Sequence, residues 1–286
     1  MKKPAGIPGG LSRFRIDFGY DGTDFQGFAK QPGLRTVQSE LLLALEQIFG
    51  KDSDDFKMRV AGRTDAGVHA LAQVCHIDLT DAQLKRLGRS DFSAQKLNGL
   101  LTPDLVVYEV SVAPAGFDAR FSAIGRSYRY LIADADSPKS PLTSRYELWH
   151  PKVLDVRLMQ KAAKGLLGLR DFGAFCKPRE GSTTIRELKK IQVTRTEDNI
   201  EVYLEADAFC HNMVRSLVGA LIAVGEAKLT PEELWDIQKA AKRVSKFKVV
   251  APNGLALTGV FYPADNLLAA QAEKAKNMRS SEEISV

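Results

Sequence analysis

Cysteine is scarce in this chain: three among 286 residues, at positions 75, 176 and 210, with no Cys-x-x-Cys pair. Neither a disulfide framework nor a zinc knuckle is expected from that spacing, and the thiols read as reduced, in a cytoplasmic protein. The adjacent pairs Cys75-His76 and Cys210-His211 do not have the spacing of a tetrahedral metal site. No stretch approaches the ~18 apolar residues that a membrane span needs. Met1-Lys2-Lys3 leads into Pro4, Gly6, Pro8, Gly9 and Gly10 rather than the apolar run of a signal peptide. A glycine-rich loop for a phosphate, a dinucleotide or a methyl donor is also missing, so neither metal nor cofactor is expected.

What is there belongs to a globular chain with an anionic partner. Hydrophobic residues make up 44% and charged residues 26%, and the length suits one large or two ordinary domains. A net charge of +5 leans toward an anionic partner, although most basic proteins do not bind nucleic acid. Two basic runs sharpen that lean: Lys239 to Lys248 holds five Lys/Arg and no acid, and Lys177 to Arg195 holds six against two glutamates. Each reads as a solvated face when taken alone, and as phosphate-tracking surface if the two flank an RNA site.

The most informative segment is Arg59-Val-Ala-Gly-Arg-Thr-Asp-Ala-Gly-Val-His-Ala70. Val60 suits a buried strand, and Gly62 and Gly67 loosen the backbone around a short polar turn. In an extended segment Arg63 and Asp65 point the same way, and a guanidinium beside a carboxylate favours the anion. The residues read either as an Arg–Asp pair pinning a turn or as an ionised carboxylate held ready as a nucleophile.

The chain divides into two similar halves. Phe14, Ile16, Phe18 and Tyr20 alternate with Arg15, Asp17 and Gly19 as a half-buried strand. Thr36 caps a helix striped with Val37, Leu41, Leu45 and Ile48. Strand-like runs at 57–61 and 71–79 follow, then a short helix at 93–101 and a strand at 105–112, a β-α-β-β-α-β order. The second half has a strand at 128–133, a helix capped by Asp155, a hairpin at 188–196 and 200–208, a long apolar helix at 211–224, a helix opened by Thr230-Pro231-Glu232-Glu233, and a strand at 257–262. The predicted fold is α+β: two ferredoxin-like halves sharing one mixed, mainly antiparallel sheet with a central cleft where they meet. The boundaries are a flexible tail at 1–11, a first half bearing the Asp65 segment at 12–114, a second half at 115–263 and a disordered polar tail at 264–286.

The segment around Asp65 closely resembles the active-site segment of the TruA family of tRNA pseudouridine synthases. Four further segments are similar to that family's motifs, in its order. They are Tyr20-Asp21-Gly22-Thr23 with Gly27, Gln31 and Thr36-Val37-Gln38; Phe117-Asp118-Ala119-Arg120-Phe121-Ser122-Ala123 leading to Arg126-Ser127-Tyr128-Arg129-Tyr130; Phe209-Cys210-His211-Asn212-Met213-Val214-Arg215; and Ala251-Pro252-Asn253-Gly254-Leu255-Ala256-Leu257. Phe28 stands where many members carry Trp, which keeps an aromatic face. Asp21 and Asp24, which mimic a carboxylate pair, read as turn formers, and Tyr130 reads as core.

The resemblance implies uridine-to-pseudouridine isomerisation at positions 38, 39 and 40 of the tRNA anticodon stem-loop by a homodimer. It also implies helices on the outer face of the shared sheet and RNA in the central cleft. Its catalytic residues carry over to Asp65 as nucleophile, Arg63, Tyr128 and Arg215, with Tyr128, Leu255, Arg120 and Arg126 toward substrate. A base drawn out of its stack needs an aromatic platform, which suits Tyr128. An arginine in the first turns of a buried helix, as at Arg215, is expected to be paired or functional. Leu142 and Trp149 read as interface or as core. The residues do not distinguish attack at the sugar C1′, attack at ring C6 or loss of the 2′ proton. Two rivals are a non-catalytic tRNA-binding module of the same fold and an RNA methyltransferase.

Overall fold

Alternation along Leu11–Tyr20 buries Phe14, Ile16 and Phe18 on one face of strand β1 and turns Arg13, Arg15 and Asp17 to the other. The computed structural model describes residues 10–88, 91–178, 183–277, 279 and 283–284; residues 1–9 of the expected N-terminal tail lie outside them. After β1 come α1 (Val37–Phe49), β2 (Arg59–Val60), β3 (His69–Thr80), α2 (Asp81–Lys85), α3 (Ala94–Asn98) and β4 (Leu105–Val112). Next are β5 (Gly125–Ala133), β6 (Leu148–Trp149), α4 (Val156–Lys164), β7 (Gly168–Asp171), β8 (Ile185–Arg195) and β9 (Ile200–Ala206). The chain closes with α5 (Met213–Gly225), α6 (Pro231–Ala240), β10 (Leu255–Phe261) and α7 (Leu268–Lys274).

The contacts separate two compact units, residues 1–124 with 258–276, and residues 125–257 with 277–286. The first stretch of unit 1 thus ends at Ile124, and β10 is divided between the units. Unit 1 holds the antiparallel order β4–β1–β3, with β2 on β3. Its core is aromatic: Phe49 of α1 lies edge-on to Phe92 at 5.0 Å, and Phe92 edge-on to Phe14 at 5.4 Å. Thr36 and Ser39 form a capping box that starts α1. Unit 2 holds the order β5–β9–β8–β7, with β6 parallel to β5. Its centre is α5, buried on nearly every side, next to α4 and α6. The α+β class and the paired halves thus agree with the sequence reading.

Two expectations are corrected. The polar tail from residue 264 carries α7, and Leu268, 1% exposed, packs with Ala61, Val74, Ala113, Phe117 and Ala119. Two adjacent leucines, Leu267 and Leu268, in an Ala- and Lys-rich stretch give little periodic signal, yet burial of Leu268 orders the segment. Second, Cys176 and Cys210 are joined as a disulfide, their Cα atoms 5.7 Å apart, whereas the spacing suggested reduced thiols. Linear separation concealed the pair because the turn after β7 and the segment before α5 meet only in the fold. Cys75 is a free thiol, and burial pushes its pKa up.

Candidate functional site

In unit 1 the Asp65 turn is built from outside its own segment. Phe28 N–H donates to the Thr64 carbonyl at 3.1 Å and Gly67 N–H to the Phe25 carbonyl at 3.3 Å, so the loop after β1 is tied to the turn. Gly27, at φ +87°, runs against the Thr64–Ala66 backbone: a Cβ there would meet the Thr64 oxygen at 3.2 Å and the Ala66 nitrogen at 3.3 Å. Beneath the turn the Tyr20 and Thr64 hydroxyls are 2.7 Å apart, and Gln73 Nε2 donates to the Gly62 carbonyl at 2.8 Å. Burial pushes the Tyr20 phenol up to about 12, so it stays protonated and able to donate. His69 Nδ1 accepts from Gly22 N–H at 2.9 Å. The turn is thereby fixed on several sides, with Asp65 half-buried and presented from it.

Arg63 is exposed, Thr64 after it is buried and Asp65 is half-buried, so the side chains alternate up to the turn at Ala66-Gly67. Asp21 serves its own turn, accepting from the Thr23 backbone N–H at 3.0 Å and hydroxyl at 2.6 Å. Arg120 is exposed near the Phe121 ring, 5.2 Å from its centroid, and Arg59 lies 5.3 Å from the same ring. Arg59 also pairs with Asp118 at 2.7 Å. Sequence reasoning missed Gln73, although a polar residue inside the apolar run of β3 was the available signal.

In unit 2, Tyr128 on β5 is 9% exposed, and Phe209 meets it edge-on with ring centroids 5.1 Å apart. Tyr130, two residues on, is fully buried, donates to the Ala251 carbonyl at 2.7 Å and is held protonated by burial, as its core reading requires. Leu131 N–H donates to the Gly254 carbonyl at 3.0 Å, and Leu255 is buried beside this backbone link. Arg215 sits half-buried in the first turn of α5, after Asn212 in the left-handed conformation at φ 68°. Its Nε donates to the Val250 carbonyl at 2.7 Å, while Val250 N–H returns to the Arg215 carbonyl at 3.3 Å. Arg126 Nη1 donates to the Asp207 carbonyl at 3.0 Å. Arg63, Asp65 and Arg120 thus belong to unit 1, and Arg126, Tyr128, Arg215 and Leu255 to unit 2.

Among the described residues no group of three or more His, Cys, Asp and Glu is placed to hold a metal ion, and no helix is long and apolar enough to cross a membrane.

One α+β unit presents half-buried Asp65 from a braced turn; the other buries Tyr128 against Phe209 and carries Arg215 in the first turn of α5. The sequence model of the family described as tRNA pseudouridine synthase matches residues 18–119 and 162–263, and the chain belongs to that family. It is 45% identical over 282 residues to the tRNA pseudouridine synthase A of Leifsonia xyli subsp. xyli, covering 94% of this chain and 98% of the relative. With the protein of that name from Streptomyces avermitilis it shares 46% identity over 278 residues, covering 95% of each. With that from Mycobacterium leprae it shares 41% over 290 residues, covering 98% of this chain and 100% of the relative. The chain is accordingly an isomerase, a tRNA-modifying pseudouridine synthase.

Proposed function

We propose that the chain isomerises uridine to pseudouridine at positions 38, 39 and 40 in the anticodon stem-loop of tRNA, with Asp65 as the nucleophile. The reaction breaks the N1–C1′ bond, turns the uracil and joins C5 to C1′. The C5 proton leaves and N1 ends protonated, so no atom is gained or lost. A carboxylate nucleophile divides this into easier steps. The observation that carries the reading is Asp65 itself, half-buried on a turn anchored by the Phe28–Thr64 and Gly67–Phe25 bonds within the family's matched region.

Around that carboxylate the remaining side chains take separate tasks. Tyr128 offers a ring against which a flipped uracil stacks. Arg215 supplies a planar cation for sugar and phosphate oxygens. Exposed Arg63, Arg120 and half-buried Arg126 meet phosphates, and Leu255 keeps water from the base. The protein works as a homodimer, an assignment supported by exposed Leu142 and Trp149.

Unmodified tRNA incubated with the protein and no additive tests the proposal. Pseudouridine is expected at positions 38 to 40, and Asp65→Asn is expected to bind tRNA while losing turnover. Since a thousandfold loss corresponds to only ~4 kcal/mol of barrier, an Asp65→Asn rate above about a thousandth of the original would sink the nucleophile assignment.

A further inference from the structure

We infer that Phe209 is a positioning residue for Tyr128, and that the Cys176–Cys210 bridge is the tether that keeps Phe209 in place. The inference rests on the reading of Tyr128 as the side chain that faces the substrate base. All four residues lie in unit 2.

Phe209 belongs to a short segment between β9 and α5. One end is fixed at Asp207, whose N–H donates to the Glu187 carbonyl at 3.2 Å and whose carboxylate accepts from Glu187 N–H at 2.9 Å. The other end is fixed where Met213 N–H donates to the Cys210 carbonyl at 3.0 Å and α5 begins. Between those ends the Phe209 ring stands edge-on to Tyr128, the planes at 86°. That geometry places the positive edge of one ring on the negative face of the other and selects one tilt for the tyrosine. A stacking platform must be held within tens of degrees of its working orientation, and rings locked by packing do this.

The residue after Phe209 carries the bridge. Cys210 is joined to Cys176, which is 1% exposed in the turn after β7, and Lys177 N–H donates to the His211 carbonyl at 2.9 Å beside it. The bridge closes a separation of 34 residues, so opening it returns freedom to the segment that bears Phe209. Cys210 is half-buried where Cys176 is enclosed, so it is the more accessible end of the bridge for a small thiol. Opening is a two-electron exchange: a small dithiol attacks one sulfur, the mixed disulfide resolves to a cyclic disulfide, and Cys176 and Cys210 each gain a proton.

The test uses the full chain in its oxidised form, with single-turnover rates on unmodified tRNA at saturating enzyme and tRNA affinity measured separately. Phe209→Ala is expected to slow the chemical step about three- to tenfold, the scale of one lost aromatic pair, with affinity changed less than about twofold. Phe209→Leu keeps apolar bulk without a ring edge, so it guards against a folding failure and is expected to slow the step similarly. Phe209→Tyr is expected to restore it. In a Tyr128→Ala background the Phe209→Ala change is expected to have no further effect. Dithiothreitol is expected to slow the unaltered protein severalfold, and a Cys176→Ser, Cys210→Ser protein is expected to be slow and indifferent to it.

Additive Phe209 and Tyr128 effects, or a Phe209→Leu protein at full rate, overturn the positioning role. An unaltered protein indifferent to reductant overturns the tether. Full activity of Tyr128→Ala itself overturns the underlying reading of Tyr128 and is a separate result from either.

Discussion

Arg215 shows how one side chain is committed twice. Its Nε is spent on the Val250 carbonyl, at 2.7 Å, which fixes the guanidinium plane and aims the remaining N–H groups. Replacing it with alanine is expected to slow single-turnover chemistry by about one to three powers of ten, the cost of removing one charged donor from a partly desolvated site. Arg215→Lys is expected to recover only part of that loss, because an ammonium cannot both hold Val250 and reach outward. If Arg215→Ala reacts at the normal rate once tRNA is bound, the arginine only supports structure or binding. His76 makes a different expectation. Its Nδ1 accepts from Ala119 N–H at 3.0 Å, and burial, with Arg13 nearby, lowers its pKa to about 4. The folded state therefore binds fewer protons than the unfolded state between about pH 6.5 and about pH 4. The stability from neutral His76 is whole above that window and is lost as pH falls through it, on the order of 3 kcal/mol. Urea midpoints across that range are expected to slope less steeply in His76→Gln. The sequence made Arg215 visible because a charge interrupts an apolar helix; His76 stayed hidden because a histidine in a strand looks the same whether buried or wet.

The helices and strands with strong periodicity were legible, and those defined by a single contact were not. β1, α1, the β8–β9 hairpin and α5 follow from alternation, caps and apolar stripes, and Thr230 with Glu233 forms the expected capping box at α6. The 57–61 run, in contrast, pairs only at Arg59–Val60, since the chain must then turn toward Asp65. α7 is the clearest case of tertiary override. Leu268 anchors it, and the Ser122 hydroxyl donates to the Leu268 carbonyl at 3.1 Å. Leu268→Ala is expected to destabilise the protein by about 2–5 kcal/mol in urea unfolding, as for other fully buried leucines. An unchanged midpoint would mean that this helix is an ornament on unit 1.

Charge acts over longer distances than any of these contacts. With a net charge of +5 and arginines and lysines in separate runs, tRNA affinity is expected to fall steeply with salt, by roughly 10³-fold between about 50 and 200 mM if six phosphates are neutralised. Lys239→Ala is expected to reduce the slope of log affinity against log salt by about one and leave the bound-state chemistry alone. A rate defect at saturation in that variant would move Lys239 out of the binding surface. The sequence carried the family and its motifs because five segments stand in order. It did not carry the border between the units, because no composition change marks Ile124 or Leu257.

That border has a temporal meaning. Unit 1 is not one stretch of chain: Val260, Tyr262 and Leu268, which complete its second apolar cluster around Phe117, are encoded after all of residues 125–257. A ribosome therefore releases the Asp65 turn early, before the chain that covers Ala61 and Val74 has been made. Asp65 waits, through more than half of translation, on an unfinished floor.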